Sequence, residues 1–348
     1  MVAAWLFGED NPGLGLKAEG IMPTKRVNAP NRDKRKDHGG LWLPADAEFL
    51  APPPQEIGEV LSAYTSRRLA ENPWPLWMAI LVPLVGMILT AGVAIVLFIA
   101  MPHKATSYIV VGLGVIVWLS LIGLVMKRHA HRCTYVGRDG IARFRAWGPG
   151  RCRQQILLFG EACSLYTSVL DHYKGFVVYT HTTYEYEWLD QSGRLMFRIG
   201  GQHSDRSGMP PSTNGYHFAQ AAEDAWTAYL LPEARRDLDS GEMVYFGLRT
   251  RGCWVGLGDA AITFCSYEPQ TWEAENLGPV HVKGDVVYFQ DASGAALGFD
   301  SAIEDKWSGW DPIGSDRQGA FKISSLANSR LFFLLVAEKL GLNVLSGS

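Results

Sequence analysis

The chain has 348 residues, 47% of them hydrophobic and 19% charged, with a formal net charge of −3. A balance this close to neutral excludes a strong overall attraction to nucleic acid. Cys133, Cys152, Cys163, Cys253 and Cys265 are odd in number and form no CxxC, which argues against a disulfide scaffold or zinc ribbon and for free thiols.

Residues 1–54 read as a disordered basic tail, with Lys25, Arg26, Arg32, Lys34, Arg35 and Lys36 clustered among Gly and Pro breakers. No signal peptide is expected, because 1–7 lacks a basic start and a cleavage site. Residues 55–72 read as an amphipathic helix, since Ile57, Val60, Leu61, Tyr64 and Leu69 recur near helical spacing. Two apolar runs follow, 76–100 and 108–126, each free of Asp, Glu, Lys, Arg and His. A hydrocarbon core about 30 Å thick needs roughly 20 apolar residues, so 73–127 is expected to form a transmembrane helical hairpin. Arg67 and Arg68 precede it, Lys127, Arg128 and Arg132 follow it, and the link carries only Lys104. That asymmetry predicts a multi-pass inner-membrane protein with both termini cytoplasmic.

Past residue 126 the pattern changes to short strands. The stretch 135–147 contains a Gly137-Arg138-Asp139-Gly140 turn and then alternating Ala142, Phe144, Ala146 against Ile141, Arg143, Arg145. Further strands are expected at 154–159, 163–167, 175–182, 183–189 and 194–199, then a helix carrying Phe218, Ala222 and Trp226 that ends at Pro232. The second half repeats the plan, with strands at 242–248, 252–257, 260–267, 280–282, 286–290 and 295–299 and a helix over 326–340. Asp190-Gln191-Ser192-Gly193 and Asp291-Ala292-Ser293-Gly294 mark matching turns. The shared order predicts a duplication, unit 1 at 132–232 and unit 2 at 233–345, with Trp226 and Phe333 both buried.

Chemistry-bearing patterns are few. His129, His131 and Cys133 stand at i, i+2, i+4 without a second ligand pair, so no metal is expected. Glu185 and Glu187 alternate with Tyr184, Tyr186 and Trp188, which fits a sheet surface better than acid–base catalysis. No nucleophile elbow, Walker loop or HExxH helix occurs, and neither an enzyme nor a cofactor is expected. Trp307 and Trp310 form a candidate partner loop. The densest basic stretch is Lys127, Arg128, Arg132, Arg138, Arg143, Arg145, Arg151 and Arg153, opposed only by Asp139. Arg143 with Arg145, and Arg151 with Arg153, are i, i+2 pairs on either side of the 148–150 turn. Of these, Lys127, Arg128, Arg132, Arg143, Arg145, Arg151 and Arg153 are candidates for contact with anionic lipid headgroups or a phosphate-bearing ligand.

Meandering strands closed by one C-terminal helix, with the Ile323-Ser324-Ser325-Leu326-Ala327-Asn328 approach to the last helix, resemble bacterial two-span membrane proteins with pleckstrin-homology-like cytoplasmic domains. The resemblance implies an α+β fold, a transmembrane hairpin followed by two tandem PH-like units, and a binding or scaffolding role. The expected partners are a lipid bilayer, anionic headgroups and a protein partner or membrane complex. An accessory subunit of such a complex is the alternative role, and an enzyme without a recognisable motif the third.

Overall fold

The computed structural model describes residues 27–28, 36–43, 47–66, 85–86, 91–92, 112, 130–147, 152–175, 178–206, 210–250, 252–265, 268–283, 285–294, 320–342 and 344–347. The first unit, expected to begin at 132, takes in residues well before it: β1 (Val27–Asn28) pairs with β2 (Glu48–Phe49) ahead of the main sheets. Strands β3 (Val60–Thr65), β4 (Ala130–Gly137), β5 (Gly140–Trp147) and β6 (Cys152–Leu158) form an antiparallel sheet in chain order. Residues 66–129 therefore enter the chain between two neighbouring strands. A second sheet holds β7 (Ser164–Lys174), β8 (Val178–Leu189) and β9 (Leu195–His203), and α1 (Gly215–Asp239) follows.

Unit 2 has eight strands and one α-helix among the described residues, and unlike unit 1 it ends on a strand after its helix. Its first sheet is β10 (Val244–Gly247), β11 (Trp254–Leu257), β12 (Ala261–Cys265) and β13 (Pro269–Glu273). Its second combines β14 (Val280–Lys283), β15 (Val286–Tyr288), β16 (Ala320–Lys322) and β17 (Val344–Gly347), with β17 parallel to β14. Helix α2 (Ser329–Lys339) lies between β16 and β17 in the chain. The two Asp-x-Ser-Gly turns close alike. In each, the aspartate Oδ1 accepts from the serine amide at 2.9 Å and hydroxyl at 2.6 Å, and the glycine has positive φ.

Alternation decides which face of unit 1's first sheet is covered by what. Ala142 and Phe144 point to a cluster with Cys133, Tyr135 and the N-terminal residues Ala47, Phe49, Ala51 and Ile57. Ile141 and Val136 point the other way, into a core with Trp188, Phe197, Phe218 and Trp226. A side chain at Gly137 would collide with the Ile57 carbonyl, so glycine is needed where the N-terminal segment crosses the hairpin. Helix α1 serves both units. Phe218, Ala222 and Trp226 enter the first core, Ala234 and Leu238 the second, and Leu230 packs against both.

Several expectations are corrected. The hairpin expected at 73–127 lies outside the described residues except for 85–86, 91–92 and 112, and among the described residues no helix is long and apolar enough to cross a membrane. The expected fold class, a transmembrane helical hairpin ahead of helix-closed units, gives way to a mainly β architecture with five sheets, two α-helices and single helical stretches at 85–86, 91–92 and 112 among the described residues. The multi-pass inner-membrane placement is corrected with it, since no described helix supplies a span. The expectation rested on the apolar length of the two runs and on the positive charge that flanks them. The described helices bury one stripe and carry charge elsewhere, as Asp224, Arg235 and Asp239 do on α1.

Over 55–66, the described part of the helix expected at 55–72, the chain forms a 3-10 turn, Gln55–Ile57, followed by β3. Val60, Tyr64 and Thr65 are strand formers, and pairing with β4 overrides a weak helical period. Part of the tail expected to be disordered is ordered, because Phe49 and Ala51 cover the sheet and the Tyr135 hydroxyl donates to the Ala51 carbonyl at 2.6 Å. The two strands expected at 175–189 are one, β8, since Thr182-Thr183 contains no breaker. Pro232 does not end α1, which runs to Asp239 because its last turns bury Ala234 and Leu238. Phe332, not Phe333, is the fully buried phenylalanine of α2, and Phe333 is half-buried.

Candidate anion-binding face

The arginine pattern becomes a site through strand register. The Gly137–Gly140 turn sets Arg132 opposite Arg145, and the next pairing sets Arg145 opposite Arg153. Directly opposed residues share a face with Cβ atoms about 5 Å apart, so three arginines form a row across β4, β5 and β6. Arg143 lies two residues along β5 on the same face, opposite Thr134 and Gln155.

Arg143 is the most enclosed of the four. Its guanidinium carbon lies 4.9 Å from the Phe197 ring centroid and 5.7 Å from that of Phe218, and Nη2 donates to the Arg198 carbonyl at 3.1 Å. Burial, then Arg145 and Arg132, pull its pKa down to about 9, so it remains a cation at neutral pH. Burial pushes the Tyr184 phenol up to about 12, with Arg143 and Arg132 opposing. Its hydroxyl donates to Asn214 Oδ1 at 2.9 Å, and the same oxygen accepts from the Tyr216 amide to cap α1.

His38 closes one side of this face. Its ring contacts the Ser62 and Thr134 hydroxyls at 2.7 and 2.8 Å and lies 5.0 Å from Phe218. Burial, with His217 adding, lowers its pKa to about 3, so the ring is neutral. Neighbouring arginines are differently employed: Arg198 pairs with Glu185 and Glu187, Arg249 with Glu187, and Arg138 with Glu59. Among the described residues neither Arg132 nor Arg143 makes an ion pair. The face can therefore accept an anion at Arg132 and Arg143 without first releasing a carboxylate.

Of the sequence candidates, the structure brings together Arg132, Arg143, Arg145 and Arg153. Lys127, Arg128, Arg151, Trp307 and Trp310 lie outside the described residues. Sequence reasoning missed Thr134, Gln155, Tyr184, Asn214 and His38. The turn register could have supplied Thr134, whereas nothing local marks His38. Glu185 and Glu187 are held by arginines, which ties up the one carboxylate pair considered for acid–base work. His131 Nε2 and Cys133 Sγ approach to 3.6 Å, but the thiol is buried, accepts from the Leu50 amide, and is pushed up to about 11 by burial. Among the described residues no group of three or more His, Cys, Asp or Glu could hold a metal.

No protein-family description matches the chain, and no curated protein is similar to it.

Proposed function

We propose that this protein is a non-enzymatic binding module that holds an anionic, phosphate-bearing group on the face formed by Arg132, Arg143, Arg145 and Arg153. The observation that carries the reading is the cross-strand arginine row. Arg132 and Arg143 make no ion pair among the described residues, so a polyanion would meet two cations that no carboxylate already neutralises. The guanidinium fork matches phosphate oxygens in a way that lysine does not.

The test is titration of the full chain with inositol hexakisphosphate as a soluble polyphosphate probe. Replacing Arg132, Arg143, Arg145 and Arg153 with Gln should weaken binding by on the order of a hundredfold, with wild-type affinity falling as salt rises. Unchanged binding in a folded variant would remove the reading.

A further inference from the structure

Strands β7 and β8 set two histidines directly against each other. Their register pairs His172 with His181, one step beyond Thr182, the last β8 residue that β9 backs. The two rings stack with centroids 4.4 Å apart and planes 9° from parallel. His181 and Thr183 alternate with the buried Thr182 and Tyr184, and Tyr184 belongs to the core that α1 covers. The histidine pair therefore stands on the opposite face of the sheet, where His172 is exposed. Two threonines decide which ring nitrogens are available. The Thr180 hydroxyl donates to the His172 carbonyl at 2.8 Å, so toward His181 Nδ1, 3.0 Å away, it can only accept. His181 Nδ1 thus carries the ring proton and Nε2 keeps its lone pair. Thr183 holds His172 in the same way. Its hydroxyl is directed at the Leu170 carbonyl at 3.5 Å and accepts from His172 Nε2 at 2.9 Å, which leaves the lone pair on Nδ1. Among the described residues, His172 Nδ1 and His181 Nε2 have no protein partner.

We propose that His172 and His181 form a two-ligand site for a divalent late transition-metal ion, of the class of Ni²⁺, Cu²⁺ and Zn²⁺. The proposal goes beyond the anion-binding reading and does not rest on it. Imidazole nitrogen is the donor these ions favour, and the pair offers one lone pair from each ring. Bonds from such an ion to imidazole nitrogen run about 2.0–2.1 Å, so two of them span about the separation of the stacked rings. A ligating histidine has its other N–H held by an oxygen acceptor, which fixes the tautomer and the ring. Thr180 and Thr183 already supply those acceptors. The site has two protein ligands and not the four of a closed structural zinc site, so water fills the remaining positions. Placement gives the ion a task. A two-stranded ribbon is marginal in water by itself, and the pair lies where the backing of β9 stops. An ion held by His172 on β7 and His181 on β8 clasps the two strands there.

The experiment titrates the full chain with NiCl₂ by calorimetry and compares wild type with His172→Asn, His181→Asn and the double variant. The chain has nine histidines, so the double variant sets the background. Each single change should weaken the strongest Ni²⁺ site by on the order of a hundredfold, the gain that a second tethered ligand brings. A second reading needs no variant and serves if one fails to fold. In NMR spectra of the wild-type chain, substoichiometric Ni²⁺ should broaden the ring resonances of His172 and His181 ahead of the other histidines. Wild-type binding no tighter than that of the double variant overturns the proposal. A single variant that keeps wild-type affinity also overturns it, because one ring would then suffice. Even broadening across all the histidines overturns it as well, since the ion would then have no preferred pair.

Discussion

In unit 1 the strands of the first sheet run six to eight residues, and in unit 2 the corresponding strands run four or five. The longer sheet has room for both a covered apolar stretch and a polar end, where the arginine row stands. The shorter one is spent on its core: β10 to β13 contain no Lys or Arg, and Phe246, Phe264, Phe289, Phe321 and Phe332 pack with ring centroids 5.1 to 6.4 Å apart. Unit 2 also braces unit 1. Asn328, in the left-handed region at φ 53°, accepts at Oδ1 from the Leu165 amide and the Trp226 indole, and its own amide donates to the Leu165 carbonyl. Arg249 stacks over Tyr166 and reaches Glu187, and Arg330 reaches Asp224. The two halves thus differ in what they carry, one a row of arginines across three strands and the other a cluster of phenylalanines beside a residue, Asn328, that contacts the first.

The largest effect should come from the aromatic core of unit 2. Phe332→Ala should cost about 3–5 kcal/mol in chemical denaturation, as expected for a fully buried phenylalanine. If unit 2 braces unit 1, the soluble-anion site should be lost over the same transition. Two separate transitions would break the comparison and show the units to be independent.

Asn328→Ala should cost about 2–3 kcal/mol, because the buried Leu165 amide and Trp226 indole lose their acceptor and the left-handed backbone suits alanine poorly. Asn328→Gly should restore the backbone part only, and equal stability of the two variants would place the whole effect in the lost acceptor.

Two buried groups should give opposite pH slopes. Glu223 is raised to about 7 by burial, with Arg330 lowering and Asp224 raising it; Tyr186 and Tyr216 also sense its charge. The folded state holds a proton the unfolded chain has released, so this contribution is full below about 4.5 and lost as pH rises through 7. Glu223→Gln should flatten that fall and stabilise the protein at pH 8 by on the order of 2 kcal/mol. His38 is lowered to about 3, facing Ser62, Thr134 and His217. Its contribution is full above about 6.5 and lost as pH falls toward 3, so His38→Gln should reduce the acid sensitivity of unit 1. Melting temperature against pH reads both slopes.

The smallest effect tests the arginine row. Arg132→Gln should leave stability unchanged or raise it by a few tenths of a kcal/mol at low salt, since it removes one member of a like-charge pair. A clear loss of stability would mean that Arg132 is structural and not held for a ligand.

The sequence by itself determined the local features whose physics is local. Period-two alternation in 141–147 separates arginines from Phe144, and the Asp-x-Ser-Gly turns close through their own side chains. The turn at 137–140 already fixes Arg132 against Arg145, because a short hairpin leaves one register. Only the tertiary structure decided the rest. Residues 60–65 carry a helical spacing and a strand propensity of similar strength, and what settles them is a partner strand beginning at Ala130. The strand at Pro269–Glu273 has no apolar alternation to read and exists by pairing with β12. His38 and Asn328 are ordinary polar residues in sequence. Each becomes decisive because folding carries its few hydrogen-bonding atoms to buried groups about a hundred or more residues away, and no spacing along the chain encodes that meeting.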